Sequence, residues 1–374
     1  MFRSITNKLR VTMILTKQGC LLLILVGAFL SSGLQAKEPS LFDVAHQKMK
    51  PNVYTNIDSM LVYQNNKLIS QHYYGRFNSN TTHRTHSTFK SINALITLLA
   101  IDQGLLRRDE FALPLLSRFA KPTRTDRRRQ QIRVKHLLNM TSGLACDEAP
   151  GSNGPNHEFG VDEGQTPLQY SLDIPMSSEP GEQWQYCSAN SFLLAASVSA
   201  ALARADRENI FEFADKYLMQ PLEINNYRLT KSANGKFLNG QGNSHFIPND
   251  LAKFGLLLLN QGMWNNQRLL SKSSIESILT PVMPINWSFT SNLKLVQQPV
   301  TKYSNQWYHT NFELNSKSIA TMHSWGNGGQ YIFVIPSIDA VVVFTGSNQG
   351  DFQKQQQPFD IMHKYILPQL LSKS

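Results

Sequence analysis

The sequence lacks several features that would place it in a common class of protein. No Gly-x-Ser-x-Gly motif occurs, so the strand-to-helix turn that carries the nucleophile of α/β-hydrolases is absent. The His157-Glu158 pair is not followed by a second histidine at the spacing of a zinc-binding helix. Neither an internal repeat nor a low-complexity tract is present. With 41% hydrophobic and 17% charged residues in 374 positions, the composition predicts a globular protein with one large core or two modest ones.

Acidic residues are absent from the first 36 positions, which hold four basic residues and the apolar run Cys20–Leu30. Small and polar residues then lead to Ala36. This order is typical of a signal peptide, so we predict that residues 1–36 are removed and that residues 37–374 form a periplasmic or secreted domain. The run has about ten apolar residues, which is short for a membrane span of about 20. Leu34 occupies a position where a small residue is usual, so an uncleaved anchor in the inner membrane is the alternative.

Only three cysteines occur, and Cys20 belongs to the predicted signal peptide. The other two, Cys146 and Cys187, form an even pair, and the predicted compartment is oxidising. This predicts a disulfide bond between them. Two separate buried thiols are the alternative.

The formal net charge of +10 falls to +6 without the four basic residues of the first 36 positions. Much of the remaining excess lies in one run, Arg124–Arg129 (RTDRRR), which is typical of a solvated loop. No aromatic residues alternate with these cations, so nucleic acid is not an expected partner.

Strand patterns lie near both ends of the chain. Residues 59–77 alternate apolar and polar around Asn65-Asn66, and residues 330–345 give two β-branched and aromatic runs around Pro336-Ser337-Ile338-Asp339; both patterns predict β-hairpins. The region between them has mainly helical patterns. We therefore predict an α+β fold in which an antiparallel sheet from the N- and C-terminal strands is flanked by helices and a mainly helical subdomain is inserted. The predicted helices are Thr88–Gly104, Val134–Met140, Asn190–Ala205, Pro248–Gln261 with Asn249-Asp250 as caps, and Phe359–Leu371.

Ser87 and Lys90 are the first candidate pair for chemistry. Three residues apart at the start of a helix, the hydroxyl and the ammonium lie on one face, so the amine can reach the oxygen. A serine hydroxyl needs such a neighbour to become a nucleophile. The spacing recurs at Ser291 and Lys294, but there it stands in a polar stretch with no apolar helix behind it. A plain helix cap is the alternative role for Ser87.

Tyr186 is the second candidate, because the segment Pro180–Asn190 runs from a turn into a helix and presents this tyrosine at a chain reversal. A phenol near cations can act as a general base and then as a general acid. A core tyrosine with a satisfied hydroxyl is the alternative.

A glycine-rich stretch, WGNGGQ, leads directly into the strand that begins near Gln330. Glycines at a strand edge let another group approach the backbone closely. If this edge lines a cleft, its N–H groups would complete an oxyanion hole with the N–H of Ser87. A simple loop is the alternative. The candidate residues are Gly326, Asn327, Gly328 and Gly329.

In this order, the motifs resemble those of the serine β-lactamase and penicillin-binding-protein superfamily, particularly its class C-like branch with esterases and 6-aminohexanoate-dimer hydrolases. The resemblance covers about residues 50–370 and implies that Ser87 forms an acyl-enzyme while Lys90 and Tyr186 move its proton, with no cofactor or metal. Which of the two takes the proton first stays open, since they titrate as a coupled pair. The similar blocks are Thr85–Leu106, Val134–Glu148, Pro180–Ala196, Pro248–Ser271 and Gly326–Asn348.

The sequence departs from that family at two places. Many relatives have an asparagine two residues after the tyrosine, where this chain has Ser188; its hydroxyl is expected to hydrogen-bond Lys90 or the substrate. The Lys-Thr-Gly motif of β-lactamases is replaced by His323-Ser324-Trp325-Gly326, so the cation for a β-lactam carboxylate is missing. His323 is either a substitute for that cation or a surface residue.

Three functions remain open. The first is an amidase or esterase for a small acyl substrate, and the second is a β-lactamase or D,D-peptidase. The third is a non-catalytic binding protein on the same scaffold. His83 and His86 have a metal-like spacing, but no acid or cysteine joins them nearby, so neither a metal nor a cofactor is expected.

Overall fold

The computed structural model describes residues 39–49, 53–146, 148, 166–285 and 300–372. The predicted signal peptide, the second Ser-x-x-Lys sequence at Ser291 and His157 lie outside these residues. All of the described residues belong to one compact unit, Pro39–Ser374.

The strands are β1 (Ile57–Gln64), β2 (Lys67–Tyr73), β3 (His83–Arg84), β4 (Tyr227–Arg228), β5 (His245–Phe246), β6 (Met263–Trp264), β7 (Gln267–Arg268), β8 (Met283–Pro284), β9 (Val300–Ser304), β10 (Trp307–Leu314), β11 (Lys317–Gly326), β12 (Gln330–Ile335) and β13 (Ala340–Gly346). The α-helices are α1 (Leu41–Lys48), α2 (Thr88–Asp102), α3 (Ala112–Leu116), α4 (Val134–Leu138), α5 (Pro167–Asp173), α6 (Ser188–Arg204), α7 (Ile210–Ala214), α8 (Pro248–Leu259), α9 (Lys272–Leu279), α10 (Gln357–Ile361) and α11 (Leu367–Leu371). Short 3₁₀ helices lie at Arg127–Gln131, Pro336–Ile338 and Lys354–Gln356, and π-helical turns at Asp215–Met219 and Met362–Ile366.

The main sheet has eight strands in the order β2-β1-β13-β12-β11-β10-β9-β8. All of its pairings are antiparallel, and β1 pairs with β13, which joins the two ends of the chain as predicted. Both predicted hairpins are confirmed. Asn65 and Asn66 have φ of 52° and 59°, the left-handed backbone that a two-residue hairpin turn requires. Asp339 closes the second hairpin with φ 47°.

Successive residues of the central strands face two separate cores, because side chains alternate across a sheet. On β13, Val341 and Val343 face the first core, whereas Val342 and Phe344 face the second. The first core contains α2, α6 and α8, and the second contains α1 and the C-terminal helices. This double burial explains why the strand sequences near the C-terminus are almost wholly apolar.

Helix α2 is buried along nearly its whole length and packs between the sheet and α6. The predicted helices are confirmed to within two residues at each end, with the C-terminal one interrupted by a π-helical turn. The predicted Asn249-Asp250 cap is wrong. Helix α8 begins at Pro248 after Ile247, and no side chain caps it, because the Ile247 side chain has no hydrogen-bond acceptor.

The prediction that the region between the hairpins is mainly helical is wrong for β9, β10 and β11. On β10, polar side chains such as Thr310 are buried while Asn311 is exposed, and on β11 Thr321 and His323 are buried. This mixture hides the apolar alternation by which a half-buried strand is recognised in a sequence. Within the described ranges, every helix is too short or too polar to cross a lipid bilayer.

Candidate active site

Ser87 stands directly before α2, at the face where the helix meets the sheet. Its hydroxyl makes no capping bond to the helix, and instead accepts a hydrogen bond of 2.9 Å from Lys90 Nζ. His86, just before it, has φ 47°, an uncommon backbone conformation for a residue other than glycine. A Cβ on Gly242 would lie 2.6 Å from the His86 carbonyl oxygen, so glycine is needed there to hold this turn. The candidate nucleophile therefore stands next to a residue with a strained backbone.

Lys90 is 2% exposed, and its ammonium is held by two oxygen atoms. Besides the Ser87 hydroxyl, Nζ donates to the main-chain carbonyl of Gln241 at 2.7 Å. Nζ also lies 5.1 Å from the centre of the Tyr186 ring. The amine therefore contacts the hydroxyl and lies over the phenol ring, and the spacing in the sequence predicted the first of these two contacts.

Tyr186 completes the group of three. Burial raises the pKa of its phenol, the charge of Lys90 lowers it, the charge of Glu148 raises it, and side-chain hydrogen bonds with Ser87 and Lys90 lower it. The net direction is upward, so the phenol holds its proton at neutral pH. Ser87, Lys90 and Tyr186 therefore meet in one place, although Tyr186 comes from a segment about 100 residues farther along the chain.

The end of β11 touches the start of α2 at Gly326. A Cβ at this position would lie 3.0 Å from the main-chain nitrogen of Thr88 and would collide with the carbonyl oxygen of Thr85. The close backbone approach expected of the glycine-rich stretch is therefore present at Gly326.

The other three residues of that stretch face the loop before α10. Asn327 Oδ1 accepts hydrogen bonds from Gly350 N at 3.0 Å and from Gln355 Nε2 at 2.7 Å. Gly328 pairs with Asn348 across an isolated β-bridge. A Cβ on Gly329 would meet Gln355 at 3.6 Å. Of the four predicted oxyanion residues, Gly326 is the one that contacts the nucleophile helix.

Ser188 makes a contact that the sequence did not reveal. Its main-chain nitrogen and its hydroxyl both donate to the carboxylate of Glu148, each at 2.6 Å. A carboxylate at this position suits the N-terminus of α6, where unpaired N–H groups gather. Glu148 also raises the pKa of Tyr186, so it belongs to the electrostatic surroundings of the site. An acid two residues after Cys146 was the one signal for it.

Cys146 and Cys187 form a disulfide bond with their Cα atoms 5.3 Å apart, which confirms the prediction. Both residues are buried. The bond joins the segment that carries Glu148 to the residue between Tyr186 and Ser188. It therefore explains how two distant segments form one wall of the site.

Both roles expected for His323 are wrong, because the residue is neither at the surface nor a cation. It is fully buried in β11, stacked on Tyr308 with ring centres 5.4 Å apart and edge-on to Phe359 at 5.1 Å. Burial lowers its pKa to about 3, so the ring is neutral at neutral pH. Its Nε2 lies 3.2 Å from the hydroxyl of Thr310. The side chain belongs to the second core and offers no charge to a substrate.

A row of aromatic rings continues from Tyr186. Trp184 contacts both Tyr186 and Tyr303, and Tyr308 links Tyr303 to Trp325, with ring centres 4.9 to 6.4 Å apart. Trp184 and Tyr186 are partly exposed at one end of the row, whereas the other rings are buried. The exposed end gives the site a partly apolar wall.

No metal site is apparent among the described residues, where no three His, Cys, Asp or Glu side chains could hold an ion together. His83 instead faces Asp58, with Nδ1 3.5 Å from the carboxylate.

Comparison with known proteins gives both sequence relatives and structural neighbours. Esterase EstB of Burkholderia gladioli is 29% identical over 150 residues, which span 38% of this chain and only 37% of the esterase. The 6-aminohexanoate-dimer hydrolase of Paenarthrobacter ureafaciens is 24% identical over 301 residues, which span 77% of this chain and 72% of that enzyme. A solved variant of the simvastatin synthase of Aspergillus terreus has a TM-score of 0.66 at 15% identity, covering 91% of this chain and 100% of that one.

The structural likeness confirms the predicted α+β fold. A family model described as Beta-lactamase matches residues 47–359, most of the chain. The chain therefore belongs to the β-lactamase family of serine hydrolases.

Proposed function

We propose that this protein cleaves an ester or amide bond of a small, uncharged acyl substrate through an acyl-enzyme on Ser87. The observation that carries the proposal is the 2.9 Å hydrogen bond from Lys90 Nζ to Ser87 Oγ beside the Tyr186 phenol. A hydroxyl, an amine and a phenol in mutual contact can attack a carbonyl and move the proton that the attack releases.

In the first half of the reaction, Ser87 Oγ attacks the substrate carbonyl carbon, and its proton passes to the Lys90 and Tyr186 pair. The pair then returns a proton to the leaving alcohol or amine as its bond to the carbonyl carbon breaks. In the second half, water attacks the acyl carbon and gives its proton to the same pair. Ser87 Oγ departs with a proton, and the carboxylic acid is released.

The negative charge on the carbonyl oxygen needs donors at fixed positions. We assign this role to two main-chain N–H groups, that of Ser87 and that of Gly326. The Ser87 N–H makes no hydrogen bond to any of the residues described, so it is available to a substrate. The contact of Gly326 with Thr85 and Thr88 holds the end of β11 beside Ser87.

The surroundings favour a substrate without a carboxylate. His323, at the position where β-lactamases have a cation, is neutral and fully buried. Glu148 adds a negative charge near Tyr186. Together with the partly exposed rings of Trp184 and Tyr186, these groups suit an uncharged acyl group better than an anionic β-lactam.

The test is labelling with a fluorophosphonate, together with hydrolysis of p-nitrophenyl acetate and a chromogenic cephalosporin. We expect Ser87→Ala to abolish labelling and ester hydrolysis, and Ser291→Ala, at the other Ser-x-x-Lys sequence, to leave both unchanged. Labelling of Ser87→Ala at the rate of the parent would refute the nucleophile assignment.

The same assays separate the alternatives. Rapid cephalosporin hydrolysis without ester hydrolysis would identify a β-lactamase instead. Tight binding of acyl ligands that Lys90→Ala leaves unchanged, with no turnover of any ester or amide, would identify a binding protein.

We also propose that the domain works outside the cytoplasm. The acid-free first 36 residues with their apolar run and the buried disulfide between Cys146 and Cys187 support this. N-terminal sequencing of the protein from a periplasmic extract should begin near Lys37. An intact N-terminus found in the membrane fraction would favour the anchored form.

A further inference from the structure

A cavity of about 1060 Å³ lies between α3 and the 3₁₀ helix Arg127–Gln131, and none of its lining residues belongs to the candidate active site. One part of the lining is apolar and includes Phe111, Leu113 and Pro114. Another part is basic and includes Lys121, Arg124 and Arg127, which we call the basic rim. A hydrolase of acyl groups has no use for this cavity in the mechanism above.

Within the described ranges, no carboxylate forms an ion pair with a side chain of the basic rim. The three side chains of the basic rim are exposed, and in the part of the chain that the structure describes they make no side-chain hydrogen bond. Asp173, the acid beside this segment, accepts hydrogen bonds from the main-chain N–H groups of Thr123 and Arg124. Asp126, the one acid among the lining residues that the structure describes, is already bound by Arg128. Three like charges gathered around one cavity repel each other, so their proximity is favourable when an anion lies between them.

Arg129 lines the same cavity and is 2% exposed. Its Nη1 donates to the carbonyl of Leu172 and its Nη2 to that of Ile174, the latter at 2.6 Å. Its Nε has no hydrogen-bond partner among the described residues, although the atom is buried. No carboxylate forms an ion pair with this guanidinium in the part of the chain that the structure describes. A buried cation with an unfilled donor is costly unless an anion or a water molecule completes it.

These contacts correct the expectation that Arg124–Arg129 is a solvated loop. Arg128 donates hydrogen bonds to Asp126 and to the Met176 carbonyl. Arg129 is buried and donates to the Ile174 carbonyl, just before Met176. Arg124 and Arg127 remain exposed with no such task. Within this run, Arg128 and Arg129 therefore have structural roles, whereas Arg124 and Arg127 are available to a ligand.

We propose that this cavity binds a phosphate-bearing ligand with a short apolar portion. The planar guanidinium groups of Arg124 and Arg127 can each donate two parallel hydrogen bonds to phosphate oxygens, and Lys121 adds a third positive charge. A phosphate with nearly two negative charges matches several cations better than a carboxylate with one. The apolar portion contacts Phe111, Leu113 and Pro114. The ligand is either a soluble phosphate ester or the head group of an anionic lipid.

Calorimetric titration of the full-length protein with hexyl phosphate tests the proposal, because this probe has no ester of a carboxylic acid that the active site could cleave. We expect saturable binding of hexyl phosphate, weaker binding of inorganic phosphate and none of hexanol. The double variant Arg124→Gln/Arg127→Gln should bind hexyl phosphate at least tenfold more weakly. It should keep the Tm and the p-nitrophenyl acetate activity of the parent.

The matched control is Lys67→Gln/Lys317→Gln, which removes two exposed positive charges outside the cavity. It should bind hexyl phosphate as the parent does. Vesicles that contain ether-linked phosphatidic acid, whose head group is a phosphate monoester, are compared with vesicles of ether-linked phosphatidylcholine alone to distinguish the two sources. Selective binding to the anionic vesicles, lost in the arginine double variant, would assign the ligand to a lipid head group; binding of hexyl phosphate alone would assign it to a soluble ester. Failure of the parent to bind any phosphate-bearing probe, or equal loss in both double variants, would overturn the proposal.

Discussion

Reduction of the Cys146–Cys187 disulfide should destabilise the fold by an amount that follows from the loop it closes. The two cysteines are 41 residues apart. In the chain-entropy description, a loop of this length removes about 13 cal/mol/K from the unfolded chain, or about 4 kcal/mol at 25 °C. We therefore expect the free energy of unfolding to fall by up to about 4 kcal/mol on reduction, with a further loss of kcat because Tyr186 and Ser188 flank Cys187.

Urea unfolding of the parent, with and without a phosphine reductant, measures the effect of the cross-link while both sulfur atoms stay in place. The Cys146→Ala/Cys187→Ala variant removes the sulfur atoms as well. Because both residues are buried, it should be less stable than the reduced parent by the cost of the lost packing. A loss below about 1 kcal/mol on reduction, with a large loss only in the alanine variant, would show that packing and not loop closure provides the stability.

Three other results are expected. Gly326→Ala should lower kcat/KM about 100-fold, because the added Cβ pushes β11 away from the start of the nucleophile helix. The control is Gly255→Ala, which crowds core side chains instead and should lower stability but leave activity nearly unchanged. Equal losses of activity in the two variants would contradict the role of the Gly326 contact. Glu148→Gln should shift the alkaline limb of the kcat/KM profile to lower pH, since the carboxylate raises the pKa of Tyr186; an unchanged limb would speak against their interaction. His323 has a pKa of about 3 in the fold against about 6.5 unfolded, so only the unfolded chain gains its proton as the pH falls from 6 to 4. His323→Gln should therefore weaken the loss of stability over this range by about 1.4 kcal/mol per pH unit, as measured by urea midpoints at several pH values, and identical slopes would exclude this origin.

The parts of the fold that the sequence predicts are those with strong local signals. The turn at Asn65-Asn66 needs a left-handed backbone, and asparagine is one of the few residues that accept it readily. Helix α2 is recognisable because its buried apolar residues surround it on nearly every side. Strands β10 and β11 escaped prediction because their buried faces contain Thr310, Thr321 and His323, polar residues of types that are mostly not fully buried in proteins.

One part of the candidate site also follows from local sequence signals, and another part does not. The Ser87 and Lys90 pair follows from helical spacing alone, so the sequence predicts it directly. Gln241 and Glu148 contribute a carbonyl and a carboxylate from loops far away in the chain. Their positions depend on tertiary contacts, the disulfide among them, that have no periodic signal in the sequence.

The pairing of β1 with β13 has a consequence for how the protein is made. These two neighbouring strands come from distant parts of the sequence, with Met60 beside Phe344. A nascent chain must extend past residue 340 before β1 finds this partner, and until then that edge of β1 is open to other molecules. Truncation before residue 340 should therefore yield aggregates rather than a smaller folded hydrolase, and a chaperone that covers β1 during synthesis would protect the whole molecule.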